Sequence, residues 1–257
     1  MRRLLLLPLF ASLLVGCGDI NRSTGEFGRI QYSLHSDFLV DGSELVGQSI
    51  LTGHPQVIDL ELTDAGEEAG SNFEEMTHTA TPAAGVTIEA WNPEDDVGNL
   101  TITVEQPGTY TIESTLDESL FDRIELTFDA PDTLSVVTWV RPPNADDFDE
   151  ASGSPVQVDE GAQAAFVPIP LDSAGDRIAG DFVPEMSATP DWAVVRGINV
   201  IGIYEQNVVV ARSPASVYFI EPGSIALTLT DAPNGVTASV DFEVAPVQAA
   251  PGRQAGI

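Results

Sequence analysis

Leu100-Thr101-Ile102-Thr103-Val104-Glu105-Gln106-Pro107-Gly108-Thr109-Tyr110-Thr111-Ile112 decides how this chain folds. Apolar side chains fall at every second position on both sides of a Pro-Gly pair. A period of two puts Ile102 and Val104, then Tyr110 and Ile112, on one face of an extended strand and leaves threonines on the other. Pro107-Gly108 ends the first strand and opens the second. The layout recurs as Val217-Tyr218-Phe219-Ile220, Glu221-Pro222-Gly223, Ser224-Ile225-Ala226-Leu227. Gly108 precedes Pro131 by 23 residues and Gly223 precedes Pro246 by 23, and both intervals close on Ala-Pro. The same offset of 115 aligns Val86 with Ile201 and Ile88 with Ile203. This ordered set of matches reads as two tandem copies of one unit.

Working outward, Val86, Ile88 and Ala90 alternate with Thr87, Glu89 and Trp91, and Ile124, Leu126 and Phe128 with Arg123, Glu125 and Thr127. In the second copy Ile225, Leu227 and Leu229, then Val240, Phe242 and Val244, keep the same period. Each strand has one apolar face, the pattern of antiparallel sheets with a single buried side, and two stacked sheets per copy bury those faces. Ala232-Pro233-Asn234-Gly235 reads as a hairpin loop. Leu116 to Phe121 is long enough for a turn only, so no substantial helix is expected. The expected organisation is a leader over 1–16, a polar stalk over 17–26, sandwiches over 27–130 and 131–247 joined at Ala130-Pro131-Asp132, and a tail over 248–257. A linker that short limits interdomain swing.

The Pro107-Gly108-Thr109-Tyr110-Thr111-Ile112 stretch resembles the penultimate-strand segment of bacterial immunoglobulin-like β-sandwich domains. The resemblance implies a tyrosine corner at Tyr110. The second copy has Ile225 there, and neither copy has an intersheet cysteine pair. The fold class expected is all-β, two tandem immunoglobulin-like sandwiches.

The chain start carries a second signal. Arg2 and Arg3 precede an apolar run from Leu4 to Val15 that is too short to span a bilayer, which takes roughly 20 residues, and so reads as a secretion signal. The run ends in Leu14-Val15-Gly16-Cys17, and Cys17 is the only cysteine. These residues resemble the lipobox of bacterial lipoproteins, which implies cleavage before Cys17, acylation of its thiol and a membrane held through acyl chains. Gly18 after the cysteine implies, in such lipoproteins, transport to the outer membrane, with the globular part in the periplasm or at the cell surface.

Composition narrows the partners. The chain has ten arginines, no lysine, 40 acids and a formal charge of −30. Loss of Arg2 and Arg3 with the leader leaves eight cations against 40 acids, a charge of −32. That balance excludes the Lys/Arg clusters on which nucleic-acid binding depends and flat adsorption to anionic lipid. The acids are spread along the chain, as in a coat that keeps an exported protein soluble. Once Cys17 is acylated no disulfide is available, so stability rests on core burial.

Candidate chemistry is sparse. Asn144, Asp146, Asp147, Asp149 and Glu150 form the densest acidic patch, a speculative weak calcium site that lacks the glycine and final-glutamate spacing of an EF-hand. Glu94-Asp95-Asp96 is a weaker candidate of the same kind. His35, His54 and His78 share no ligand spacing and read as surface or loop residues. No nucleophile elbow or phosphate loop occurs. Trp91 falls on the Thr87/Glu89 face of its strand, outward, where it covers a strand end or the interdomain joint or, alternatively, stacks on a sugar or anchors a protein, whereas Trp139 and Trp192 are expected in cores. Apart from weak calcium, no cofactor is expected. The reading is a membrane-anchored, non-catalytic envelope or surface module for adhesion, structure or binding a protein or glycan. The alternative is an envelope hydrolase using carboxylate or metal chemistry.

Overall fold

The computed structural model describes residues 22–35, 47–63, 75–94, 97–197, 201–205 and 208–246, with the backbone alone for 91–94, 97, 201–205 and 208–212. Among them no α-helix occurs, and a 3-10 turn spans Asp191–Ala193. The first sandwich is built from β1 (Arg22–Thr24), β2 (Ile30–Leu34), β3 (Ser49–Leu51), β4 (Gln56–Leu62), β5 (Thr77–Thr81), β6 (Val86–Glu94), β7 (Val97–Val104), β8 (Gly108–Leu116) and β9 (Ser119–Asp129). One sheet runs β1-β2-β4-β7-β6 and the facing one β3-β9-β8-β5. The second sandwich contains β10 (Thr133–Arg141), β11 (Asp149–Ala151), β12 (Val156–Asp159), β13 (Gln163–Leu171), β14 (Glu185–Thr189), β15 (Val194–Gly197), β16 (Ile201–Glu205), β17 (Val208–Ser213), β18 (Ala215–Phe219), β19 (Gly223–Asp231) and β20 (Val236–Ala245). Its sheets run β11-β10-β13-β18-β15 and β12-β20-β19-β14, with β16-β17 as a separate hairpin.

Both copies therefore have the immunoglobulin arrangement, strands A, B, E and D in one sheet and C, F and G in the other. In each, a short A′ strand lies parallel to strand G, β3 on β9 and β12 on β20. Period-two alternation becomes alternating burial, seen along β4 and β19. The first core packs Ile30, Tyr32, Ile58, Leu60, Ile112 and Phe128 between the sheets. The second packs Phe166, Val217, Phe219, Leu227 and Phe242, and the Phe166 ring meets Phe242 edge-on at 6.0 Å. Each such side chain, wholly buried, contributes roughly 1.5–3 kcal/mol. Tyr110 donates from its hydroxyl to the Gln106 carbonyl at 2.9 Å, the tyrosine corner of strand F. Asp117 and Glu118, both at positive φ, turn β8 into β9 as a two-residue hairpin loop.

Three expectations are corrected. The offset of 115 holds for strand E, where Ile102 corresponds to Val217, but not for strand D. The D strand of the second copy is β15, not β16: Thr87 opposes Thr103 in the first copy, and Val195 opposes Tyr218 in the second. Thr87 and Val195 are 108 residues apart, Thr103 and Tyr218 are 115, so the second D–E hairpin is seven residues longer. Ile201 and Ile203 lie in that extension and match Val86 and Ile88 only by phase. Second, the expected stalk already belongs to the fold at Arg22–Thr24, which pairs with β2. Asp122, wholly buried, accepts the N–H groups of Phe27, Arg29, Ile30 and Arg123 at 2.8–2.9 Å and clamps that segment down. Third, Trp192 is not in a core: it is 66% exposed in the 3-10 turn, where no strand period governs it.

Candidate functional site

The two sandwiches meet through a built joint. The β13–β14 loop of the second copy crosses to β3 of the first, where Leu51 donates to the Ala179 carbonyl at 2.9 Å and Ala179 donates to that of Ser49 at 2.8 Å. Ala179 thereby lies in the first core. Beside it the Gln56 amide donates to the Asp181 carbonyl and accepts the Asp181 N–H, both at 3.1 Å. Leu51, Leu134, Trp139, Val167, Ile178 and Phe182 close an apolar cluster around this crossing, so Trp139 is buried at the joint and not between the sheets of one sandwich.

A polar cluster seals the other side. His54 Nε2 donates to Asp231 Oδ1 at 2.8 Å, and its ring lies 5.1 Å from that of Phe182. Asn234, in the hairpin loop after β19, donates to Asp231 Oδ2 at 2.8 Å and to the Thr52 carbonyl at 3.1 Å. Burial alone pushes the wholly buried Asp231 carboxyl up, but the His54 and Asn234 hydrogen bonds outweigh it and hold it below its usual value. Close approach explains two glycines: Gly53, at positive φ, would set a Cβ 2.8 Å from Pro233, and Gly180 would set one against the Gln56 amide.

Of the histidines read as surface or loop residues, His35 and His54 are so placed, and His78 is not. His54 is in the loop at the joint, and His78 is half-buried on β5 with Nδ1 2.9 Å from Ser114 and no partner at Nε2. Burial lowers its pKa to about 4. His35 alone is exposed, 3.0 Å from Asp59.

One edge of the second sandwich carries an exposed apolar face. Trp192 is 66% exposed, Val195 51%, Tyr218 41% and Ile220 45%. Val195 and Tyr218 are cross-strand partners, and Ile220 donates its N–H to the Ala193 carbonyl at 2.9 Å, so strand pairing assembles the group. Val194 and Phe219, one residue along, point inward and are buried.

The candidate metal residues are not brought to one point. Asn144, Asp146 and Asp147 lie in the exposed loop between β10 and β11, while Asp149 and Glu150 are successive residues of β11 and turn to opposite faces. Among the described residues no three His, Cys, Asp or Glu side chains converge on a common centre. Trp91 lies in β6 with only its backbone described, and Cys17 lies outside the described residues. A cleft of about 440 Å³ is lined by Glu26, Arg123 and Glu125. Its Glu26 carboxyl is gripped by the Arg123 guanidinium, and that hydrogen bond holds it low, opposite to what a general acid needs.

Sequence reading placed Trp192 in a core and passed over Val195, Tyr218 and Ile220 as an exposed group. Aligning strand D at an offset of 108 and strand E at 115 sets Val195, Tyr218 and Ile220 against Thr87, Thr103 and Glu105, which are polar.

The class the fold defines is a tandem immunoglobulin-like β-sandwich protein. No family model and no curated protein matches the chain. Among solved structures it is similar to domains 5–6 of the S-layer protein SbsC, at 14% identity over 84% of this chain and 99% of that one, with a TM-score of 0.32. It is also similar to the Escherichia coli adhesin FdeC (14%, 87% and 65%, 0.31) and to invasin, a bacterial integrin-binding protein (16%, 79% and 39%, 0.26). Similarity at this level carries no functional inference.

Proposed function

We infer that this chain is a non-catalytic module of the bacterial cell envelope or surface, held to a membrane through acyl chains on Cys17, whose two sandwiches act as one stiff unit that binds or braces. The observation that carries the reading is the joint. A loop of one copy inserted in the core of the other, backed by the His54 and Asn234 hydrogen bonds to the buried Asp231, suits a stiff unit that braces or presents rather than one that closes on a substrate. The acid coat keeps such a module soluble. The outer membrane is the destination that Gly18 favours, and the face presented is periplasmic or external.

The anchor is tested by growing cells on labelled palmitate with the parent chain and Cys17→Ser. The parent is expected to take label and sediment with membranes, and the variant to lose both. A variant that keeps its label overturns the anchor.

A further inference from the structure

The exposed face at β15 is not required by the fold. The two copies share the surrounding backbone in detail: Glu105 donates to the Gly85 carbonyl at 2.9 Å where Ile220 donates to that of Ala193 at 2.9 Å. Likewise Gly53 donates to the Val104 carbonyl where Gly161 donates to that of Phe219. In this common frame the first copy has Thr87, Thr103 and Glu105, and the second has Val195, Tyr218 and Ile220. A sandwich thus forms with polar groups at these places. Apolar groups at the same places lose free energy to water and gain nothing for the core.

Two more features define what fits there. β15 ends its sheet, so alternate residues turn backbone N–H and C=O outward as a template for another strand. The rim is acidic: Glu221 follows Ile220, Glu160 precedes the Gly161 that pairs with Phe219, and Asp191, before Trp192, is paired within the chain. Among the described side chains, Arg196 on β15 is engaged by Asp191, and Arg141 by Gln163 and the Phe148 ring.

We propose that β15 and the Trp192, Val195, Tyr218 and Ile220 face form a docking site for an extended cationic segment of a partner protein. The segment adds to the five-stranded sheet as a further strand. Its backbone pairs with β15, its apolar side chains cover Val195 and Tyr218 with Trp192 as an anchor, and its Lys or Arg side chains meet the acidic rim. A second copy of this chain is a poor occupant, because it carries −30 and the same acidic rim. This deepens the surface-module reading and rests on it, yet fails separately, since the joint and the anchor do not involve β15.

The probe is a peptide of about eight residues alternating lysine and valine, the length of an ordinary strand, titrated into the full chain at constant ionic strength. Two controls go with it: the same peptide N-methylated at alternate amides, and one alternating glutamate and valine. The test variant grafts the first copy's residues, Val195→Thr, Tyr218→Thr and Ile220→Glu, and Trp192→Ser alone is the second variant. The lysine peptide is expected to bind the parent and to weaken about tenfold or more in the graft, even though the graft adds a negative charge. Asp146→Asn with Asp147→Asn, which removes charge elsewhere, is expected to leave binding within about twofold. Undiminished binding by the graft and by Trp192→Ser, or equal binding of the N-methylated peptide, overturns the proposal in favour of plain charge attraction. Preference for the glutamate peptide overturns it too, as does self-association of the parent that the graft abolishes, which assigns the face to a second copy.

Discussion

The two sandwiches of this chain have the same strand order and differ in what each does with its F–G end and its D edge. In the first, Asp122 on β9 is turned inward to hold four backbone N–H groups of the N-terminal segment and of its own strand. In the second, Asp231 at the end of β19 is turned inward to hold His54 and Asn234 across the joint. Each copy thus spends one buried carboxylate on fastening what precedes it in the chain. The D edges diverge the other way: where the second copy has Val195, Tyr218 and Ile220, the first has Thr87, Thr103 and Glu105. Repetition supplied a stable frame, and specialisation is confined to places where the frame makes no demand.

Breaking the first fastening is expected to have the largest effect. Asp122→Ala leaves four N–H groups without their charged acceptor, at a cost of about 3 kcal/mol or more. Denaturant midpoints measure the loss, and protease cleavage is expected first near Phe27. Asp122→Asn, which keeps the size and halves the acceptors, is expected to fall between. His78 sharpens the comparison by pH. With its folded pKa at about 4 against an ordinary 6.5, the unfolded chain binds a proton in that window that the folded chain does not. Stability is therefore expected to fall as pH drops from 6.5 to 4, by on the order of 3 kcal/mol in full, and to level off below. His78→Asn should flatten that slope in a series of thermal midpoints.

The joint comes next. Asp231→Asn or His54→Ala each removes one partner of a buried pair and is expected to cost about 2 kcal/mol, the low end for such pairs. Because the folded Asp231 pKa is depressed, its contribution is complete above the unfolded value near 4 and is lost as pH falls through the lower folded value. Parent and Asp231→Asn chains should converge in stability at the acid end of that range. The smallest effect is expected at Asn144 to Glu150. Millimolar calcium against chelator, with magnesium and ionic strength matched, should leave the thermal midpoint unchanged, because the two β11 acids face apart. A rise that Asp146→Asn with Asp147→Asn abolishes would assign an ion to that loop.

Much of this fold was legible in the sequence because its signals are local. Alternation along Leu100–Val104 and Thr109–Ile112, with Pro-Gly between, defines strands E and F within a dozen residues, and Tyr110 marks the corner. Strand D was not legible, since a seven-residue longer hairpin shifts the phase and leaves Ile201 and Ile203 in the register that Val86 and Ile88 suggest. The joint was not legible for a different reason: His54 and Asp231 are 177 residues apart, and nothing near either announces the other. Trp192 misled because no strand period fixes its parity in the sequence, and only the 3-10 turn aims it outward.

The central claim, that the joint makes two copies one mechanical unit, is tested most directly by calorimetry of the whole chain. A single transition is expected, with calorimetric and van't Hoff enthalpies equal, and with two transitions emerging when Asp231→Asn is combined with Ala179→Asp at the crossing into the first core. Two separate transitions in the parent chain would contradict it.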